Sequence, residues 1–255
     1  MTDVAKATVL KLLVDVGRAS LAYQKAHMVN LPCVRVQCDE IWSFCYAKQR
    51  NISPAHAGIE GAGDVWTWTA ICADTKIMPC FHVGGRTGAD AMLFMKDVAS
   101  RLTRRVQLTT DGHTAYLDAV MTAFGYNGID YAMLVKLYGQ APEGTVRYSP
   151  PVCLGAVKNT ILGQPDEDHI STSYAERSNL TMRMGMRRFT RLTNGFSKKL
   201  DNLKHAVALH FMHYNFARIH QTLRVTPAQA AGVDGHLWSM AEIAEMAKQY
   251  TENPN

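Results

Sequence analysis

The sequence predicts an α/β fold: a mixed sheet of three antiparallel strands followed by alternating helices and strands, flanked by helices. Three observations lead there. Three β-rich runs follow one another at 33–44, 64–74 and 77–83, helical and strand-like segments then alternate from Thr87 to Leu137, and the last third reads as helix. A three-stranded unit followed by αβ alternation places later strands in the same sheet and helices on its faces.

The elements follow in order. Val4, Val9, Leu12, Leu13 and Val16 recur at helical spacing, and Gly17 reads as a stop, with a second helical or loop stretch over 18–29. After Pro32 the period changes to two: Val34, Val36 and Cys38 alternate with Arg35, Gln37 and Asp39, a half-buried strand running toward Phe44. Residues 64–74 and 77–83, dense in β-branched and aromatic side chains, make a hairpin around Asp74-Thr75-Lys76. Thr87 opens a helix with Ala91, Phe94, Met95, Val98 and Leu102 on one face. A short strand over 105–110 ends at Asp111-Gly112, where the glycine is expected to permit a sharp turn. A helix over 113–124 and a strand over 129–137 complete the alternation. Residues 138–169 show no period and read as a long irregular loop. Helices are expected from Ser171, over 198–216 and over 237–250. That strand and helix order is the one used by ribonuclease-H-like nucleases.

Composition narrows the class. With 255 residues, 47% of them hydrophobic, the chain can bury a sizeable core. No apolar run approaches the ~18–20 residues that span a bilayer, and the start lacks a secretory layout, so a cytoplasmic, nucleoid-associated protein is expected. The cysteines at 33, 38, 45, 72, 80 and 153 form no CxxC pair and read as buried thiols. Charge is uneven: from Arg177 to Arg224 ten Lys/Arg face one acidic residue, Asp201, a balance of +9 in a chain whose total is +5. A basic block on a body of −4 is the footprint of a polyanion binder, or a solvated helix face.

Three carboxylates stand where such a fold would gather them. Asp39 lies on the first strand, Asp111 ends the fourth, and Glu176 lies in the first turns of the helix after the long loop. Clustered carboxylates are hard oxygen ligands suited to Mg²⁺ or Mn²⁺, and such ions serve phosphoryl transfer. Each also has a plain reading: Asp39 as an exposed strand residue, Asp111 as an Asp-Gly turn, and Glu176 in a Ser173-x-x-Glu176 capping box. At 100° per residue, Glu176, Arg183 and Arg187 share one helix face with Asn179 and Leu180 nearby. A basic stripe there would hold a phosphate backbone, with Arg188 and Arg191 further round.

The segments QCDEIWSF (37–44), GDVWTWTAICADT (63–75), LTTDGH (108–113) and STSYAERSNLTMRMGMRRFTRLTN (171–194) resemble DDE-type insertion-sequence transposases. More narrowly, they are similar to the prokaryotic group typified by insertion sequence one. HYNFARIHQTLRVTPAQAAGV (213–233) is similar to the tail these enzymes share with integrases. The resemblance, over about residues 31–233, implies a ribonuclease-H-like fold and Asp39, Asp111 and Glu176 as catalytic, metal-holding triad. It further implies Mg²⁺ or Mn²⁺ as cofactor and double-stranded DNA, transposon ends and target, as partner of a homo-oligomer. Arg183 matches a basic residue that relatives carry seven positions past the glutamate. Arg177, Arg187, Asn179, Arg188, Arg191, Lys198 and Lys199 complete the expected DNA contacts.

Three regions are expected: an N-terminal helical segment (1–30) resembling part of a helix-turn-helix, with residues 5–8 toward DNA; a catalytic domain (31–217); and a C-terminal helical tail (218–255). Two departures from the family pattern stand out. The Asp111–Glu176 interval is long, and the start matches only a recognition-type helix. A DNA-binding regulator that has lost cleavage, and a nuclease of RNA–DNA hybrids, are the competing readings. His113, His210, His213 and His220 lack Cys or acidic partners for zinc, and Trp42, Trp66 and Trp68 read as packing.

Overall fold

A computed structural model describes residues 3–139, 152–190 and 193–252. The expected mixed sheet is present, with six strands in the order β3-β2-β1-β4-β5-β6. Strand β1 (Arg35–Cys45) pairs antiparallel with β2 (Gly63–Cys72) over its whole length, from Val36↔Cys72 to Cys45↔Gly63, and β2 pairs antiparallel with β3 (Phe81–Gly84). On its other side β1 runs parallel to β4 (Val106–Asp111), but only Arg35–Gln37 are in register with it. Strand β5 (Ile129–Tyr138) lies parallel to β4 through Asp111↔Leu134. Beyond Gln37, therefore, β1 stays with β2 while β4 stays with β5, and a cleft opens between the carboxyl ends of two parallel strands. In open α/β sheets that switch point is where ligands bind.

Helices α2 (Gly88–Ser100) and α3 (Ala115–Phe124) cover one face, burying Phe94, Val98, Tyr116 and Val120 against Cys38, Trp68 and Leu108. Thr87 starts α2 as expected, through a full capping box with Asp90. On the opposite face, α4 (Ser173–Gly185) and α5 (Leu200–Met212) bury Ala175, Met182, Leu203, Val207 and Phe211 against Ile41, Val65 and Ile71. A short α6 (Pro227–Ala230) and α7 (Met240–Glu252) follow.

Four local expectations change. Gly17 does not stop a helix: α1 (Lys6–His27) runs through it without interruption. A Cβ there would lie 2.4 Å from the His205 carbonyl oxygen, so the glycine lets α1 press against the backbone of α5. Gln24 continues that contact by donating to the Ala208 carbonyl at 3.0 Å. The 138–169 stretch is not all loop, because Cys153–Leu162 form β6, antiparallel to β5 at the sheet edge. Its residues 153–160 are exposed, so burial leaves no alternating pattern in the sequence.

Helix α4 ends at Gly185 instead of carrying Arg187. Met186 is extended (φ −122°, ψ 104°), and the turn Arg187–Phe189 sends Phe189 into the core, where it is 2% exposed. Burying that ring bends the chain where a glycine already weakens the helix. The segment 198–216 is likewise divided: α5 gives way to one π-helical turn, His213–Ala217. Five of the cysteines are buried, as expected, and Cys153 is exposed. Of the tryptophans, Trp68 is wholly buried, while Trp42 and Trp66 are half-buried. Among the described residues no helix is long and apolar enough to cross a membrane.

Candidate active site

The cleft between β1 and β4 is a cavity of about 590 Å³ whose walls include Asp39, Asp111 and Glu176 together. Asp39 projects from β1 where the strand leaves β4, and Asp111 is the last residue of β4. Glu176 enters from the first turn of α4. How α4 is held there was not legible in the sequence. The Gln37 side-chain oxygen accepts from the backbone N–H of Tyr174 (2.8 Å) and of Ala175 (3.2 Å), capping the helix from two residues before Asp39 on the same face of β1. The Ser173–Glu176 capping box is absent; the Thr172 hydroxyl donates to Glu176 Oε1 at 2.5 Å instead.

Asn179, expected to face DNA, is buried and donates its amide to Asp39 Oδ2 at 2.8 Å, while Asp39 Oδ1 accepts from the Glu40 N–H at 2.8 Å. Asp111 Oδ1 accepts from the His113 N–H at 3.0 Å. Gly112 is not among the residues with positive φ. Its lack of a side chain serves space, since a Cβ would stand 3.2 Å from Val135.

Three further charged residues bear on the site: Arg86 and Lys136 line the cavity, and Glu40 stands beside Asp39 and Asp111. Glu40 carries a side chain only 1% exposed, with the buried Tyr116 hydroxyl beside its carboxylate. Arg86 lies 3.0 Å from Glu40 and 3.8 Å from Asp111, with its guanidinium over the Trp66 ring. Lys136, on β5, pairs with Glu176 at 2.5 Å. Asp39, Glu40 and Asp111 present oxygens within 4.8 Å of one another; Glu176 stands outside that tight group, on the wall beside Lys136. Burial, then the charge of Asp111, pushes the Asp39 carboxyl up to about 6 and that of Glu40 up to about 7. Such a cluster resists full ionisation unless a cation joins it. Four carboxylates against Arg86 and Lys136 leave a formal −2 when all are charged, which one divalent ion offsets. The hard-oxygen donor set of Asp39, Glu40 and Asp111 fits Mg²⁺ or Mn²⁺.

The expected basic contacts scatter. Arg183 stays on α4, seven residues past Glu176, and is half-buried. Arg187 leaves that face with the turn after Met186 and is exposed. Arg188 is half-buried and donates to Ser197 at 2.8 Å. Lys198 lies over the Phe196 ring and Lys199 is exposed at the start of α5. Arg177 lines a different cavity, and Arg191 lies outside the described residues. His113 joins the carboxylate cavity, and no His-based metal group occurs among the described residues.

The strand order, with β2 antiparallel and β4 and β5 parallel to β1, makes this a ribonuclease-H-like α/β fold with an extra edge strand. No protein-family model and no curated protein matches the chain. Among solved structures it is similar to a piggyBac transposase in a synaptic complex with hairpin DNA, at 10% identity over 88% of this chain, with a TM-score of 0.37. The match takes in 55% of that chain, so this protein spans little more than half its length. Endonuclease V from Bacillus subtilis is similar at 14% identity over 76% of this chain and 91% of that one, with a TM-score of 0.27. Neither likeness is close enough to bear on function.

Proposed function

We propose that the protein is a DDE-type DNA strand-transferase of the kind insertion sequences encode, acting on element ends and target DNA as a homo-oligomer. One observation carries this reading: Asp39, Asp111 and Glu176, from three separate elements, line one cavity at the switch point of the sheet. Asp39 and Asp111 would hold Mg²⁺ or Mn²⁺ with Glu40 beside them, and Glu176 would complete the set from α4. When bound, such ions activate a water or a 3′-hydroxyl and neutralise charge developing at phosphorus.

The chain's own residues do the rest. Asn179 and the Glu40 N–H orient the two Asp39 oxygens, and the His113 N–H orients Asp111. Arg86 offers positive charge to a phosphate approaching Asp111, and its guanidinium rests over the Trp66 ring, 4.6 Å from the centroid. Lys136 holds Glu176 until substrate or ion competes for it. In the proposed reaction water breaks a phosphodiester at the element end, leaving a 3′-hydroxyl. That hydroxyl then attacks a target phosphodiester, displacing one strand end as it forms the new bond.

The test is divalent-dependent nicking and joining of element-end DNA by the purified chain. Asp111→Asn is expected to cut the rate at least about a hundredfold while leaving DNA binding intact. Binding without any cleavage would make the protein a DNA-binding regulator, and cleavage confined to RNA–DNA hybrids would make it a ribonuclease.

A further inference from the structure

A second cavity, of about 320 Å³, lies on the other flank of α4, walled by Tyr174, Arg177, Ser178 and Thr181 where the carboxylate cleft has Thr172 and Glu176. Lys76, Arg218 and His220 close it, and no carboxylate is among its lining residues. Lys76 is 8% exposed. Its ammonium donates to the Ala73 carbonyl and sits 3.3 Å from the centroid of the Tyr174 ring, and it has no ion-pair partner among the described residues. Lysines this buried are ordinarily paired, because an unbalanced charge away from water is costly. Arg177 and Arg218 are exposed at the mouth and likewise make no ion pair among the described residues. His220 Nδ1 is buried without a hydrogen-bond partner, and burial, then the charges of Lys76 and Arg218, push its imidazole below the ordinary histidine range.

The site is built into the fold. The Tyr214 hydroxyl donates to the Lys76 carbonyl at 2.9 Å, and the Asn215 amide both accepts from the Met78 N–H (3.0 Å) and donates to its carbonyl (3.1 Å). The Tyr-Asn pair of the π-helical turn thus pins the β2–β3 connection, where Lys76 sits at φ +60°, a conformation uncommon outside glycine. Arg218 and His220 follow directly after that turn. Residues of the tail segment 213–220 therefore both shape the pocket and supply part of its charge.

We propose that this pocket is a phosphate site that grips the DNA backbone on the flank of α4 opposite the reacting carboxylates, with Lys76, Arg177 and Arg218 as its cations. The choice of ligand rests on the strand-transfer reading, which makes a phosphodiester the anion at hand. A backbone held on both flanks of α4 is fixed in register across the helix that carries Glu176.

The experiment is fluorescence anisotropy with a labelled duplex of element-end sequence in EDTA, so that no cleavage occurs, over a series of salt concentrations. Arg177→Gln and Arg218→Gln, both at exposed positions, are each expected to weaken binding about three- to tenfold and to lower the log–log salt slope by about 0.9. The remote, exposed Arg104→Gln is expected to change neither. Equal loss from Arg104→Gln, or an unchanged slope in the double variant while wild type binds duplex, overturns the pocket and leaves the strand-transfer reading standing. A wild-type chain that binds no duplex overturns both. A thermal shift by inorganic phosphate that vanishes in the double variant, with the duplex slope unchanged, assigns the pocket to a small phosphate ligand and overturns the backbone assignment.

Discussion

Asn179 donates its side-chain amide to Asp39 across 2.8 Å, so the strand that opens the cleft and the helix that carries Glu176 are joined through a proposed metal-holding carboxylate. Asn179 is 3% exposed, and its own amide oxygen has no partner. It is a positioning residue. Asn179→Ala is expected to raise the Mg²⁺ concentration needed for half-maximal cleavage about tenfold, with about 1–2 kcal/mol lost in stability. A metal titration beside a urea melt separates the two effects, and unchanged metal dependence at unchanged stability sinks the assignment.

Gln37 accepts two α4 N–H groups, so its loss uncaps a helix at long range. Gln37→Ala should cost about 1 kcal/mol by urea denaturation. Because Glu176 sits in the uncapped turn, cleavage should fall more steeply than stability does. Gln37→Glu, which keeps the acceptor, should recover most of the stability.

Gly17→Ala tests the α1–α5 contact. Helix propensity alone favours alanine by about 1 kcal/mol. The 2.4 Å approach to the His205 carbonyl predicts the opposite sign, since backbone cannot yield as a flexible side chain can. A lowered melting temperature is expected; a raised one would show that the helices stand further apart.

The Asp39 carboxyl, raised to about 6, makes metal-free stability depend on pH. The folded chain holds that proton over a window, from about pH 4 to about pH 6, in which an unfolded aspartate has released it. Stability therefore falls as pH rises across that window, by at most about 3 kcal/mol, and the partial exposure of the group reduces this. Asp39→Asn should melt above wild type at pH 8 in EDTA and draw level near pH 4. Mg²⁺ should raise the wild-type melting temperature at pH 8 and leave the variant unmoved. A wild type more stable than the variant at pH 8 without metal would reverse the sign and remove the burial argument.

From sequence alone one could read what depends on local pattern. Alternation placed Asp39 on a half-buried strand, Asp111 at a strand end and Glu176 early in a helix, and the order of elements implied the mixed sheet. Those features survive because period and turn chemistry act over a few residues. Tertiary structure decided what depends on juxtaposition. Gln37, Glu40, Arg86, Lys136 and Asn179 join the site or support it because β1 parts from β4 and α4 lies across the gap, and no spacing in the chain encodes that meeting. The glycine at 17 reads locally as a stop but serves a neighbouring helix. β6 left no alternating pattern because its residues 153–160 are exposed. Arg187 left the basic stripe because burying Phe189 outweighed continuing a weak helix past Gly185. Local preference sets each element; packing between elements settles where it ends and which charges meet.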